Sequence, residues 1–119
     1  MHPAAQKGIE LFDRGEFYEA HEPLELAWMN TESPERELYQ GILQIGLAYF
    51  QISRGNYRGV LKMFKRAHRN LEPIGSSLFG VDISTLRQDA LSVEEAVRDL
   101  GPGRLNQFDQ ALIKPIPWK

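Results

Sequence analysis

The sequence predicts an all-α fold, a compact bundle of about five helices with an extended C-terminal tail. Three observations carry this expectation. Apolar residues recur at three- and four-residue spacings through most of the chain, no segment alternates in the manner of a strand, and one helix–turn–helix unit occurs twice.

The elements follow in order. Ala5, Ile9 and Phe12 share one helical face, and Gly15 ends that first segment. The second places Phe17, His21, Leu24 and Trp28 in one stripe, with Pro23 inside it. A proline there has no N–H for the Glu19 carbonyl, so a kink or a fresh start near Glu22 is expected. Ser33 before Pro34 reads as an N-cap with proline at the first helical position, and Glu35 and Glu37 suit the first turn. The third helix is apolar on most of its circumference, through Leu38, Ile42, Ile45, Tyr49 and Ile52 and a second stripe of Tyr39, Leu43, Gly46 and Phe50. Such a helix belongs at the centre of a bundle. Arg54-Gly55-Asn56 closes it. The fourth carries Tyr57, Val60, Leu61, Phe64, His68 and Leu71 on one face. Glu72 to Gly80 reads as a loop, and a fifth helix starts near Asp82 or Ser84 and stops at Gly101-Pro102. The remainder, with Pro115 and Pro117, is expected to lie extended along the bundle. The chain is therefore read as one helical domain over 1–119, with a bundle over 1–102 and a tail over 103–119. The expected core includes Phe12, Phe17, Leu24, Trp28, Ile42, Ile45, Tyr49, Phe64, Leu86 and Val93.

The repeated unit is FDRGEFYEAHEPLELAW from Phe12 and ISRGNYRGVLKMFKRAH from Ile52. Gly15 matches Gly55, Ala20 matches Val60, Leu24 matches Phe64 and Ala27 matches Ala67, at an offset of 40 residues. The unit resembles the helix pair of tetratricopeptide repeats, whose period is about 34 and which need about three or more copies for stability. Two copies and a fifth helix favour a bundle over a solenoid.

Composition removes several function classes. The 119 residues include no cysteine, which excludes disulfides, thiolate zinc sites, cysteine-held iron–sulfur clusters and cysteine nucleophiles. Fourteen basic against sixteen acidic side chains give a net charge of −2, too balanced for a dedicated nucleic-acid binder. With neither a signal-type apolar run nor a membrane-length one, a soluble cytoplasmic protein is expected.

The sharpest chemical feature is His21-Glu22-Pro23-Leu24-Glu25. His21 and Glu25 stand one turn apart, where they can bond to each other or share a divalent metal. The pattern lacks the second histidine of the zinc-protease motif, and no histidine follows a glutamate by three positions as di-iron bundles require. A mononuclear site would have to borrow Gln40, Gln44, Tyr49 or His68. The plainer reading is a structural pair facing the bundle interior, and it is favoured because two groups suffice for it. Gln40 and Gln44 either reach this pair or lie along an exposed edge with Gln51. Arg58, Lys62, Lys65, Arg66 and Arg69 give the fourth helix a basic face, read as solvated ahead of pairing with the acidic helices or binding a polyanion, and without interleaved aromatic residues base stacking is unsupported.

FYEAHEPLELAW, then Tyr39-Gln40-Gly41-Ile42-Leu43-Gln44, then Arg54-Gly55-Asn56, together resemble the bacterial and archaeal domain-of-unknown-function 309 family over roughly Gly8 to Leu71. The family's mark is a histidine, three residues, a glutamate, two residues, then Trp or Tyr. His21, Glu25 and Trp28 match it. The resemblance implies metal binding through these residues and no established activity. Two function classes lead: a metal- or small-ligand-binding protein using His21, Glu25 and Trp28 with Gln40, Gln44 and Tyr49, and a helical interaction or oligomerisation module in which His21–Glu25 is structural. An enzyme is disfavoured, since no complete constellation of base, nucleophile and oxyanion donor is present. A homodimer is expected, because Ile116, Pro117 and Trp118 need cover. No membrane partner is expected.

Overall fold

The computed structural model describes residues 1–119. Five α-helices run α1 Pro3–Asp13, α2 Phe17–Met29, α3 Glu35–Ser53, α4 Tyr57–Leu71 and α5 Ile83–Leu100. The all-α expectation holds, and no helix is long and apolar enough to cross a membrane.

The repeated unit is visible in the backbone. After α1, Gly15 (φ 79°) donates its N–H to the Phe12 carbonyl at 2.9 Å, and the Glu16 N–H reaches the Leu11 carbonyl at 2.9 Å. After α3, Gly55 (φ 69°) donates to Ile52 at 3.0 Å and Asn56 to Gln51 at 3.0 Å. Each is the same paired closure of a helix end on a left-handed residue, which glycine adopts without strain. The matched positions Ala20 and Val60, Leu24 and Phe64, and Ala27 and Ala67 are all buried.

α3 is central. It lies between α2 and α4, and ten of its nineteen residues are buried, which accounts for its two apolar stripes. Small residues let the helices approach closely. A Cβ placed on Gly8 of α1 would come 2.5 Å from Leu24 Cγ of α2, and one on Gly41 would run into Leu71 of α4. α2 continues through Pro23 without a restart. α3 begins one residue later than the capping pattern suggested: Pro34 takes the cap position, and Ser33 donates its hydroxyl to Glu37. Of the two starts expected for α5, Asp82 or Ser84, Asp82 is the cap. The Asp82 carboxylate accepts from the Thr85 N–H at 3.1 Å and the Thr85 hydroxyl at 2.8 Å, bonds that hold its pKa below the ordinary value.

The segment read as a plain loop contains a small antiparallel hairpin, β1 Ser77–Leu78 and β2 Val81–Asp82. Phe79 and Gly80 form its turn with φ of 52° and 80°. Two-residue strands are too short to show alternation in a sequence. Their support comes from the chain's other end, where Val81 bridges to Trp118, the Asp82 N–H donates to the Pro117 carbonyl at 2.9 Å, and the Lys119 N–H donates to the Gly80 carbonyl at 2.8 Å. The tail also crosses α1: the Ile116 N–H donates to Asp13 Oδ1 at 2.9 Å. It contains two short 3₁₀ turns, Leu105–Gln107 and Gln110–Leu112. Ile116 is thereby buried within the same chain, so of the three tail residues expected to need a partner only Trp118 stays exposed.

Eight of the ten expected core residues are buried. Phe17 and Trp28 are half-buried instead. The buried line of α2 is Ala20, Leu24 and Ala27. Residues advance by about 100° along a helix, so the larger His21 and Trp28, one step on, fall to the flank. Alanines set the axis of contact because they allow the closest approach.

Candidate functional site

α2 has two flanks on either side of its buried alanine line. One meets α3. There His21 Nε2 lies 2.9 Å from Glu25 Oε2, so the two side chains do meet as their spacing predicts. They do not face the interior, since their side chains are 38% and 44% exposed. The reason is the rotation just described. Tyr18 stands beside His21 (ring centroids 6.4 Å) and against Phe50 of α3 (5.1 Å). At the other end of the flank, the Arg36 guanidinium sits 5.1 Å over the Trp28 ring. Arg54 similarly lies 5.8 Å from the Phe50 ring. The flank is thus a ladder of aromatic, cationic and acidic groups along the α2–α3 seam.

The other residues expected to complete a ligand site are committed elsewhere. Gln44 accepts a hydrogen bond from Asn70 of α4 at 2.8 Å. Tyr49 sits among Phe12, Phe17 and Phe64, with ring centroids 5.9, 5.3 and 6.1 Å away. Burial there drives its phenol pKa far above the ordinary value, and the Asp89 carboxylate adds to the effect. His68 pairs with Glu94 of α5. Gln40 is half-buried on α3. No group of three or more His, Asp or Glu side chains is placed to hold one metal ion. No single cavity joins His21, Glu25 and Tyr49: Glu25 lines one and Tyr49 another. What His21 and Glu25 present is a pair of donors on an open helix face, and a zinc site needs about three or four protein ligands.

The second flank of α2 meets α1 and holds a groove absent from the sequence expectations. Between the two helices lies an open groove of about 520 Å³. Its apolar surface comes from Leu11 of α1 and from Pro23, Leu26 and Met29 of α2. Leu26 is 54% exposed and Met29 64%. Glu19, Glu22 and Glu25 line its α2 side, and Lys7 is the one basic residue. Glu25 therefore belongs to both flanks, oriented by His21 on one and lining the groove on the other. The sequence carries a weak signal of it: Glu19, Glu22, Leu26 and Met29 recur at helical spacing, on a face less apolar than the stripe through Phe17 and Trp28.

A second histidine pair joins α4 to α5. His68 Nε2 lies 3.0 Å from Glu94 Oε1, and Arg98 Nη2 is 3.0 Å from the other oxygen. His68 stacks on Phe64 (centroids 6.2 Å, 17° between planes). With side chains 22% and 13% exposed, this pair is the better buried of the two and ties α4 to α5. Its partners are 26 residues apart, so no local pattern announces it.

A search of curated proteins finds no match to the chain. A family profile does match: that of the domain of unknown function DUF309, over residues 5–63. The matched stretch takes in nearly all of α1, all of α2 and α3, and the start of α4, and so includes both flanks of α2. Through these residues the chain belongs to the DUF309 family, the family its sequence resembles.

Proposed function

We propose that this chain is a helical protein-interaction module that docks its partner on the outer face of α2, with His21–Glu25 serving as a structural pair on that face. One observation carries the reading. A single 13-residue helix leaves Leu26 and Met29, neighbours on the flank that meets α1, 54% and 64% exposed while its opposite line is fully packed. Large apolar side chains gathered on one exposed face mark interaction surfaces more often than scattered ones do. The alternative, a metal or small-ligand site at His21 and Glu25, has only two donors in support.

Two measurements test the proposal together. The first is metal analysis of untagged protein purified without chelator, alongside His21→Ala and Glu25→Gln. No stoichiometric metal is expected, and a metal lost in both variants would overturn the reading. The second is site-specific photocrosslinking in cells from Met29, with Lys62 on the α4 face as the control position. A discrete adduct from Met29 that is absent from Lys62 is expected, and equal yields from both would sink the docking face.

A further inference from the structure

We infer that the groove between α1 and α2 receives a basic amphipathic helix from a protein partner other than a second copy of this chain. The inference rests on the interaction-module reading and names the occupant.

The shape comes first. Glu19, Glu22 or Pro23, Leu26 and Met29 follow one another at three- and four-residue steps down α2, from its first turn to its last residue. At 1.5 Å per residue this wall is about 15 Å long, the reach of roughly three helical turns. Both walls are α-helices, whose backbone N–H and C=O groups are largely used within each helix. The groove therefore offers no sheet edge for an extended strand to join. An occupant has to satisfy its own backbone, which a helix does, and grooves of this kind read side chains at i, i+3 or i+4, and i+7. Leu11, Pro23, Leu26 and Met29 supply the apolar contact for such a stripe, and the unbranched Met29 side chain can adapt to it.

Charge then selects the partner. The groove presents Glu19, Glu22 and Glu25 against Lys7 alone. The surrounding sequence deepens the field, because Glu10 to Glu37 contains nine acidic and two basic residues. His21 holds the Glu25 carboxylate at 2.9 Å and so fixes one charge at the edge of the groove. An acidic rim repels phosphate backbones and anionic lipid surfaces, and it favours Lys or Arg flanking an apolar stripe. Pro23 adds an acceptor, since it brings no N–H to the Glu19 carbonyl one turn earlier.

A second copy of this chain fits poorly. Its basic helix is α4, and none of the chain's exposed large apolar residues lies on α4. Such a helix would bring charge without the side chains that the groove surface needs.

The test uses three synthetic helical peptides that share one leucine stripe at i, i+3 and i+7, flanked by Lys, by Gln or by Glu. Binding to the full chain is measured by fluorescence anisotropy at low and at physiological salt. The Lys peptide is expected to bind at least about tenfold more tightly than the Gln peptide, and the Glu peptide most weakly; this advantage should shrink with salt. The double variant Glu19→Gln/Glu22→Gln, both solvent-exposed positions, should lose about tenfold for the Lys peptide and little for the Gln peptide. Equal binding of the Lys and Gln peptides, lost in Leu26→Ser/Met29→Ser, would overturn the basic partner while leaving the docking face in place. Binding that ignores both double variants would place the peptides elsewhere and overturn the groove. Absence of binding by all three peptides would overturn the helical occupant, and the Met29 crosslink would then decide the module reading separately.

Discussion

Two glycines of α3 make opposite predictions from one substitution. Gly41 and Gly46 are both buried in the same helix. Replacing either with alanine gains the same intrinsic helix propensity, about 1 kcal/mol. Their surroundings differ. A Cβ on Gly41 would lie 2.5 Å from Leu71 Cγ, and Leu71 is fully buried and cannot swing aside. Overpacking of this sort costs about 1–3 kcal/mol. With the clash centred on the branch point of Leu71, the upper part of that range applies, and the net loss should be about 1–2 kcal/mol. A Cβ on Gly46 would rest 3.4 Å from the Phe12 ring, an ordinary contact, so Gly46→Ala should be neutral or gain up to about 1 kcal/mol. For a chain of 119 residues the unfolding entropy is about 0.25 kcal/mol per degree, so 1 kcal/mol moves Tm by about 4 °C. Circular dichroism melts should show Gly41→Ala lower by about 4–8 °C and Gly46→Ala unchanged or up to about 4 °C higher. Two variants shifting alike, in either direction, would refute the close α3–α4 approach. Leu71→Ala in the Gly41→Ala background should be less damaging than in the parent, because the new methyl then fills part of the space.

Two further outcomes follow from the charged and ionisable groups. Tyr49 has its folded pKa raised, so its contribution to stability is intact below the unfolded value near 10 and is lost as pH climbs above it, by about 1.4 kcal/mol per pH unit; alkaline unfolding should move to higher pH in Tyr49→Phe, and an unchanged transition would disprove the coupling. His68→Ala should cost about 1–3 kcal/mol in denaturant unfolding because it strips a mostly buried carboxylate of one partner, whereas His21→Ala, at a more exposed pair, should cost less than about 1 kcal/mol; the reverse order would refute this ranking by burial.

The parts of this fold that a sequence displays are those encoded locally. The Arg14-Gly15 and Arg54-Gly55 closures, the Asp82 cap and the two-sided apolar pattern of α3 are all set by residues within a turn or two of one another, and each was legible. The orientation of α2 was not. The large side chains mark the line through Phe17, His21 and Trp28, whereas packing runs along Ala20, Leu24 and Ala27, since helix axes come closest where side chains are smallest. That rotation moved His21 and Glu25 outward and uncovered Leu26 and Met29. The meeting of His21 and Glu25 was legible because it is a one-turn contact. His68–Glu94, the β1–β2 hairpin and its closure by Trp118 depend on residues brought together only by the finished fold, and no spacing rule reaches them.

The contact between Ile116 and Asp13 joins positions 103 residues apart, while α1 to α4 pack as sequential neighbours. Closing a loop of that length is entropically expensive and is rewarded only once the helices it crosses are in place. The helix pairs can therefore assemble first, and the ribbon of β1, β2 and the Pro117–Lys119 segment then latches the two ends of the chain over them. In native-state hydrogen exchange, the amides of Asp82, Ile116 and Lys119 should open together, and well before those of α3.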